Sequence, residues 1–120
     1  MSAPIPVQYL KHSATLGVPS ARDADGNNTY TLYSLTRIVV QPVTQTRRAS
    51  DNTIVTFSGI CFYDAVLSKP KLDIAALKRT ADSYGGRMTL LHNSNTYTVV
   101  GVDIVHDTNG QVHHYEMLLG

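Results

Sequence analysis

Asn95-TYTVVGVDIVHDTNGQVHHYEMLL-Gly120 is the stretch that decides the fold. Two runs rich in β-branched and aromatic residues flank Asn109-Gly110, a favoured pair for a two-residue hairpin loop because both positions take positive φ. With the turn fixed there, His106 faces His113, Ile104 faces Tyr115, Val102 faces Met117 and Val100 faces Leu119. One side of the hairpin is then Val100, Val102, Ile104, Tyr115, Met117 and Leu119, a continuous apolar face. A slip of one residue would turn that set to solvent, so the register is strongly specified. The inward phase shifts from Tyr97 and Val99 to Val100 and Val102, which calls for a bulge near Val99–Val100 and a coiled sheet.

Working outward, Arg87–His92 is a strand with Met88 and Leu90 inward, turned back by Asn93-Ser94-Asn95. Residues 73–84 form the one helix: Asp73 suits the N-cap, Ile74, Leu77, Ala81 and Tyr84 share a face, and Gly85-Gly86 ends it. Thr53–Tyr63 is a strand, with Gly59 a candidate bulge, and Asp64–Lys71 is a connector. Asn28–Val40 is a long β run stopped or edged by Pro42, preceded by the turn-rich Asp23–Asn28 and a first strand from Val7 to about Leu16. Residues 1–6, with Pro4 and Pro6, form an extended arm. Gln41–Asn52 (QPVTQTRRASDN) shows no periodicity and reads as a long polar loop, of a length that often carries function. The pattern is mainly β: a small antiparallel β-barrel of five to six strands with one short helix, in a single domain over residues 1–120.

A net charge of +1 argues against a general nucleic-acid binder but leaves room for a local basic loop. One cysteine, Cys61, excludes an intrachain disulfide and reads as a buried apolar side chain. No apolar run is long enough for a transmembrane helix, and the start is unlike a signal peptide, so the chain is expected in a cytoplasm, away from membranes. No Walker, GxSxG, HExxH or dinucleotide motif occurs. The adjacent His113 and His114 are expected on opposite faces of their strand. His92, His106 and His113 form the best metal-site candidate, on which a rival reading as a small metal-binding β-barrel enzyme rests. Asp103 faces Glu116, and two like charges directly opposite mark a candidate subunit interface, together with His106 and His113.

The order of Asp25-GNNTY-Thr31, Ile38-VVQ-Pro42, Phe62-YDAVLSK-Pro70, Tyr97-Thr98-Val99 and His113-HY-Glu116 resembles the small minor capsid proteins of long-tailed bacteriophages, in the head-completion or stopper family. The resemblance spans roughly residues 23–119; the helical segment Leu72–Tyr84 departs from the short, proline-rich connector of that family. It implies a structural, non-enzymatic barrel subunit without cofactors, made in the host cytoplasm and built into the virion neck. There, six or twelve copies form a ring between the portal–adaptor complex and the tail terminator or other tail proteins. The ring closes the DNA channel after packaging and presents the surface on which the tail docks. The channel loop of such proteins maps onto residues 41–52, with Thr46, Arg47, Arg48, Ala49 and Ser50 at its tip, in non-specific contact with packaged DNA. Another ring component of the neck, a tail terminator or adaptor, is the neighbouring possibility.

Overall fold

The computed structural model describes residues 10–48 and 54–120. Its strands are β1 (His12–Arg22), β2 (Asn28–Arg48), β3 (Ile54–Asp64), β4 (Thr89–His92), β5 (Asn95–His106) and β6 (Val112–Leu119), with helix α1 (Ile74–Ser83) between β3 and β4. All six strands pair antiparallel and close into a ring in the order β1-β2-β3-β6-β5-β4. The mainly β architecture with one helix is the one expected from the sequence. β1 starts at His12 and runs to Arg22, later than the expected Val7–Leu16. The expected arm over residues 1–6 lies outside the described residues.

The ring interior is filled by alternate residues of its strands. Leu16 and Val18 of β1, Leu35 and Ile38 of β2, Cys61 and Tyr63 of β3, Leu90 of β4, and Met117 and Leu119 of β6 are buried together, and Ile74 and Ala81 of α1 pack against them. Each large side chain taken from water contributes about 1.5–3 kcal/mol before entropy is charged against it. Asp73 caps α1 by accepting the Ala76 N–H at 3.0 Å. The helix ends as expected: Gly85 takes φ 67°, its N–H donates to Asp82 O, and the Gly86 N–H donates to Ala81 O.

The expected bulge near Val99–Val100 is present. Val99 pairs with Leu119 but Gly101 with Leu118, so Val100 is the extra residue. It corrects one member of the expected apolar face: Val99 is buried in place of Val100, which is 36% exposed. Ile104, at 41%, is also largely open, whereas Tyr115, Met117 and Leu119 are buried.

The Asn109-Gly110 turn is not the expected two-residue loop. The Gly110 N–H donates to Asp107 O, and only Gly110 takes positive φ, at 79°. Thr108 and Asn109 are therefore the central residues of a type I turn, followed by a left-handed glycine. The Asp107 carboxylate accepts the N–H groups of Asn109 and Gln111. Asp23-ADGN repeats this layout, with Asp23 accepting from Asp25 and Asn27 and Gly26 at φ 82°. The two-residue turn with both residues at positive φ is instead Asn93-Ser94, between His92 and Asn95.

The connector after β3 is tied down by Asp64 and Ser68, both fully buried. Asp64 Oδ1 accepts the Val66 and Leu67 N–H groups at 2.8 and 2.9 Å. Ser68 Oγ accepts the Asp64 N–H at 2.8 Å and donates to Arg37 O. The chain then bridges back to β2 through Thr36 and Lys69. Tyr63 closes the segment, its hydroxyl donating to Pro70 O and accepting the Leu72 N–H.

Candidate functional site

The segment expected as a loop over 41–52 is largely strand. β2 continues through Pro42 to Arg48 and pairs with β3, Gln45 facing Phe57, Thr46 facing Thr56 and Arg48 facing Ile54. Among the described residues, Pro42 has no strand partner on this flank: the last β1 partner of β2 is His12, opposite Ile38. An irregularity opposite Gly59 adds Val43 and Thr44 to β2, so the bulge lies across from the expected Gly59 and not on it. Beyond Gly59, β3 in turn has no β6 partner among the described residues. Residues 43–48 and 54–58 thus form a two-stranded ribbon that leaves the ring. Six residues at about 3.3 Å each carry it roughly 20 Å further.

A second apolar cluster anchors the ribbon's base. Phe57, Ile60 and Leu118 are buried together, with Val43 and Phe62 against them. Ile60 and Phe62 alternate with the interior Cys61 and Tyr63, so this cluster lies on the outer face of the sheet. Thr46 and Arg48 are exposed, and the Thr46 and Thr56 hydroxyls are 3.3 Å apart across the ribbon. Of the expected tip, Thr46, Arg47 and Arg48 therefore sit on a strand, while Ala49 and Ser50 lie outside the described residues.

Asp103 faces Glu116 as expected, each half-buried. The expected His106–His113 pair does not form. His106 faces Val112, and His113 is an extra residue before Val105 and His114 meet. At such a bulge two consecutive side chains turn to the same side, so the opposite-face expectation for His113 and His114 fails. Their Nδ1 atoms are 2.8 Å apart, and His114 Nε2 lies 3.0 Å from Glu116 Oε2. Phe62 packs near His114 at 6.0 Å between ring centroids.

The candidate trio His92, His106 and His113 is not assembled. His92 pairs with Asn95 at the start of β5 and His106 ends that strand. His92 instead approaches His12, with ring centroids 5.0 Å apart. Among the described residues, no group of three or more His, Cys, Asp or Glu side chains converges as a metal site. Cys61 is buried and desolvation pushes its thiol up to about 12, which removes the thiolate a nucleophile needs. Two open grooves flank the sheet, one beside α1 lined by Lys78, Asp82 and Arg87, one over Ser13, Thr15, Ser34 and Thr36. No described helix is long and apolar enough to cross a membrane.

Comparison with known proteins returns no matching family model, no matching curated protein and no matching solved structure.

Proposed function

We propose that this chain is a structural ring subunit of the head–tail neck of a long-tailed bacteriophage, one that closes the portal channel after DNA packaging and forms part of the surface for tail docking. The observation that carries the reading is the ribbon: a closed ring of strands beyond which, among the described residues, β2 and β3 continue as a pair, with Thr46, Arg47 and Arg48 on the outgoing strand. A closed ring leaves few free strand edges, which suits a rigid building block. In a ring of six or twelve such subunits, one hairpin per copy would meet at a common axis. Weak contacts of each Arg47 and Arg48 to phosphate would then act together, without reading sequence. The portal–adaptor complex on one side and the tail terminator or other tail proteins on the other are the partners this reading requires. Asp103, Glu116, His106 and His113 are the residues it offers for contact between copies, and it needs no catalytic group. The sequence resemblance supports it independently of the ribbon.

Electron microscopy of particles from a phage lacking the gene tests the reading. Tailless heads that have packaged and lost DNA, beside complete free tails, are expected; normal infectious particles would refute it. Serine at both Arg47 and Arg48 separates the electrostatic part, since unchanged DNA retention in that double variant would remove it.

A further inference from the structure

Arg37 holds a backbone conformation that suits glycine better than arginine. In the β1–β2 ladder Ser13 faces Thr36 and His12 faces Ile38, so Arg37 is the extra residue of a bulge. Its φ is 56°, the left-handed region that such a bulge usually fills with glycine. An L side chain is disfavoured there, and a strained residue of this kind persists only where its surroundings fix it. Ser68 does so, its buried hydroxyl donating to Arg37 O. The Arg37 side chain is exposed and makes no hydrogen bond or ion pair with a described residue. The fold thus carries, at a conformational cost, a guanidinium that no described residue engages.

The surroundings of Arg37 suit an anion. Thr36, the residue before it, pairs on its other flank with Lys69, each backbone N–H donating to the other's carbonyl. Antiparallel partners share a face, so the exposed Lys69 side chain stands beside that of Thr36. Thr36 lines the open groove over β1, β2 and β4, together with Ser13, Thr15, Ser34, Asn93 and Ser94. These five hydroxyls and one amide can all donate hydrogen bonds, and none of these side chains is bonded to a described residue. No described carboxylate lines the groove.

We propose that this groove, with Arg37 and Lys69 beside Thr36, binds the phosphodiester backbone of duplex DNA. Hydroxyl and amide donors next to arginine and lysine are the groups that contact phosphate oxygens, and they position a duplex without reading its bases. The groove is a second place of contact, separate from the ribbon that carries Arg47 and Arg48. Only the choice of duplex DNA rests on the neck reading; the purified chain tests the groove apart from it.

The test follows the amide chemical shifts of the isotope-labelled full chain during titration with a short duplex of arbitrary sequence at low salt. Shifts are expected at Ser13, Thr15, Ser34 and Thr36 and in the Asn93-Ser94 turn. The logarithm of the binding constant should fall linearly with that of the salt concentration, each cation engaged on phosphate contributing about 0.9 to the slope. Arg37→Gly removes one cation while relieving the backbone, so it should lower the slope by about 0.9 with a thermal midpoint no lower than the parent's. Lys69→Gln should lower the slope by the same amount, and the double variant by about 1.8. Lys78→Gln, in the groove beside α1 and paired with Asp82, should leave it unchanged. Inorganic phosphate alone, at equal phosphate concentration, should not reproduce the groove shifts. No binding, shifts confined to the ribbon, the parent's slope in both Arg37→Gly and Lys69→Gln, equal loss in Lys78→Gln, or the same shifts with inorganic phosphate overturns the proposal.

Discussion

Ser68→Ala probes whether the connector after β3 is held by its hydroxyl or only by the chain on either side. The side chain is fully buried and its oxygen makes two hydrogen bonds, from the Asp64 N–H at 2.8 Å and to Arg37 O at 2.5 Å. Alanine fills almost the same space, so the cavity contribution is small and the loss is polar. Two hydrogen bonds at about 0.5–1.5 kcal/mol each amount to roughly 1–3 kcal/mol. The Asp64 N–H is left buried without that acceptor, which places the expected cost near the top, at about 2–3 kcal/mol. Each kcal/mol moves the midpoint of a domain this size by about 4 °C, so Tm should fall by about 8–12 °C. Urea unfolding gives the free energy directly, provided the slope m is unchanged. Ser83→Ala is the matched control: its hydroxyl also bonds a carbonyl, Thr80 O at 2.7 Å, but on the exposed end of α1. That variant should stay within about 0.5 kcal/mol of the parent. If Ser68→Ala unfolds at the same urea concentration as Ser83→Ala, the buried hydroxyl does not hold the connector, and the reasoning fails.

Alkaline titration should expose Cys61. Its folded pKa of about 12 stands above the ordinary 9.0, so its contribution is complete below about pH 9 and is lost as pH rises toward about 12. Stability then falls with pH in that window, by up to about 1.4 kcal/mol per unit. Tyr63 and Tyr115, both raised above 10.0 chiefly by burial, steepen the fall above pH 10. Urea midpoints of the parent and Cys61→Ala at pH 9 and 10 test this, and equal slopes would contradict it. Gly86→Ala should cost about 1–3 kcal/mol, because a Cβ there meets Pro19 Cγ at 2.6 Å and Asn28 Nδ2 at 2.7 Å. A thermal midpoint equal to the parent's would show that these neighbours yield freely. Ser94→Gly should raise stability by roughly 0.5–1 kcal/mol, since Ser94 sits at φ 66° in the Asn93-Ser94 turn. A lower midpoint would mean that the serine side chain contributes more than its backbone strain costs.

The parts of this fold that were readable in the sequence are those with an apolar face to bury. Met88 before β4 and Leu90 within it, Ile74 and Ala81 of α1, and Tyr115, Met117 and Leu119 of β6 announce themselves by period, and all are buried. The ribbon did not, for a physical reason. Beyond the Val43 and Phe57 contacts at its base, the side chains of Thr44, Thr46, Arg48, Ile54 and Thr56 are exposed, so Val43-TQTR-Arg48 carries no apolar alternation and resembles a loop. The remaining clue was the β-branched content of the two segments, Val43, Thr44 and Thr46 in the first and Ile54, Val55 and Thr56 in the second. Pro42 concealed it, since proline normally ends a strand unless, as here among the described residues, one flank has no strand partner.

The histidines show how far a single turn assignment propagates. Asn-Gly favours a two-residue loop, but an aspartate two positions before the Asn changes the balance. The Asp107 carboxylate satisfies the N–H groups of Asn109 and Gln111, and that stabilises a type I turn with only Gly110 left-handed. The sequence contained the precedent in Asp23-ADGN, built the same way. The change of turn shifts the end of the hairpin by one residue, and β6 absorbs the shift at His113. From Val105 inward, the expected register holds as far as Gly101. The apolar pairing is therefore unaffected, while the polar end is rewritten: His106 loses His113 as a partner, and His113 turns to His114. Packing enforces register wherever a face is buried, and local hydrogen bonding enforces it where the hairpin meets water. His106, His113 and His114 lie on the second kind of ground, where hydrophobic pattern has least authority.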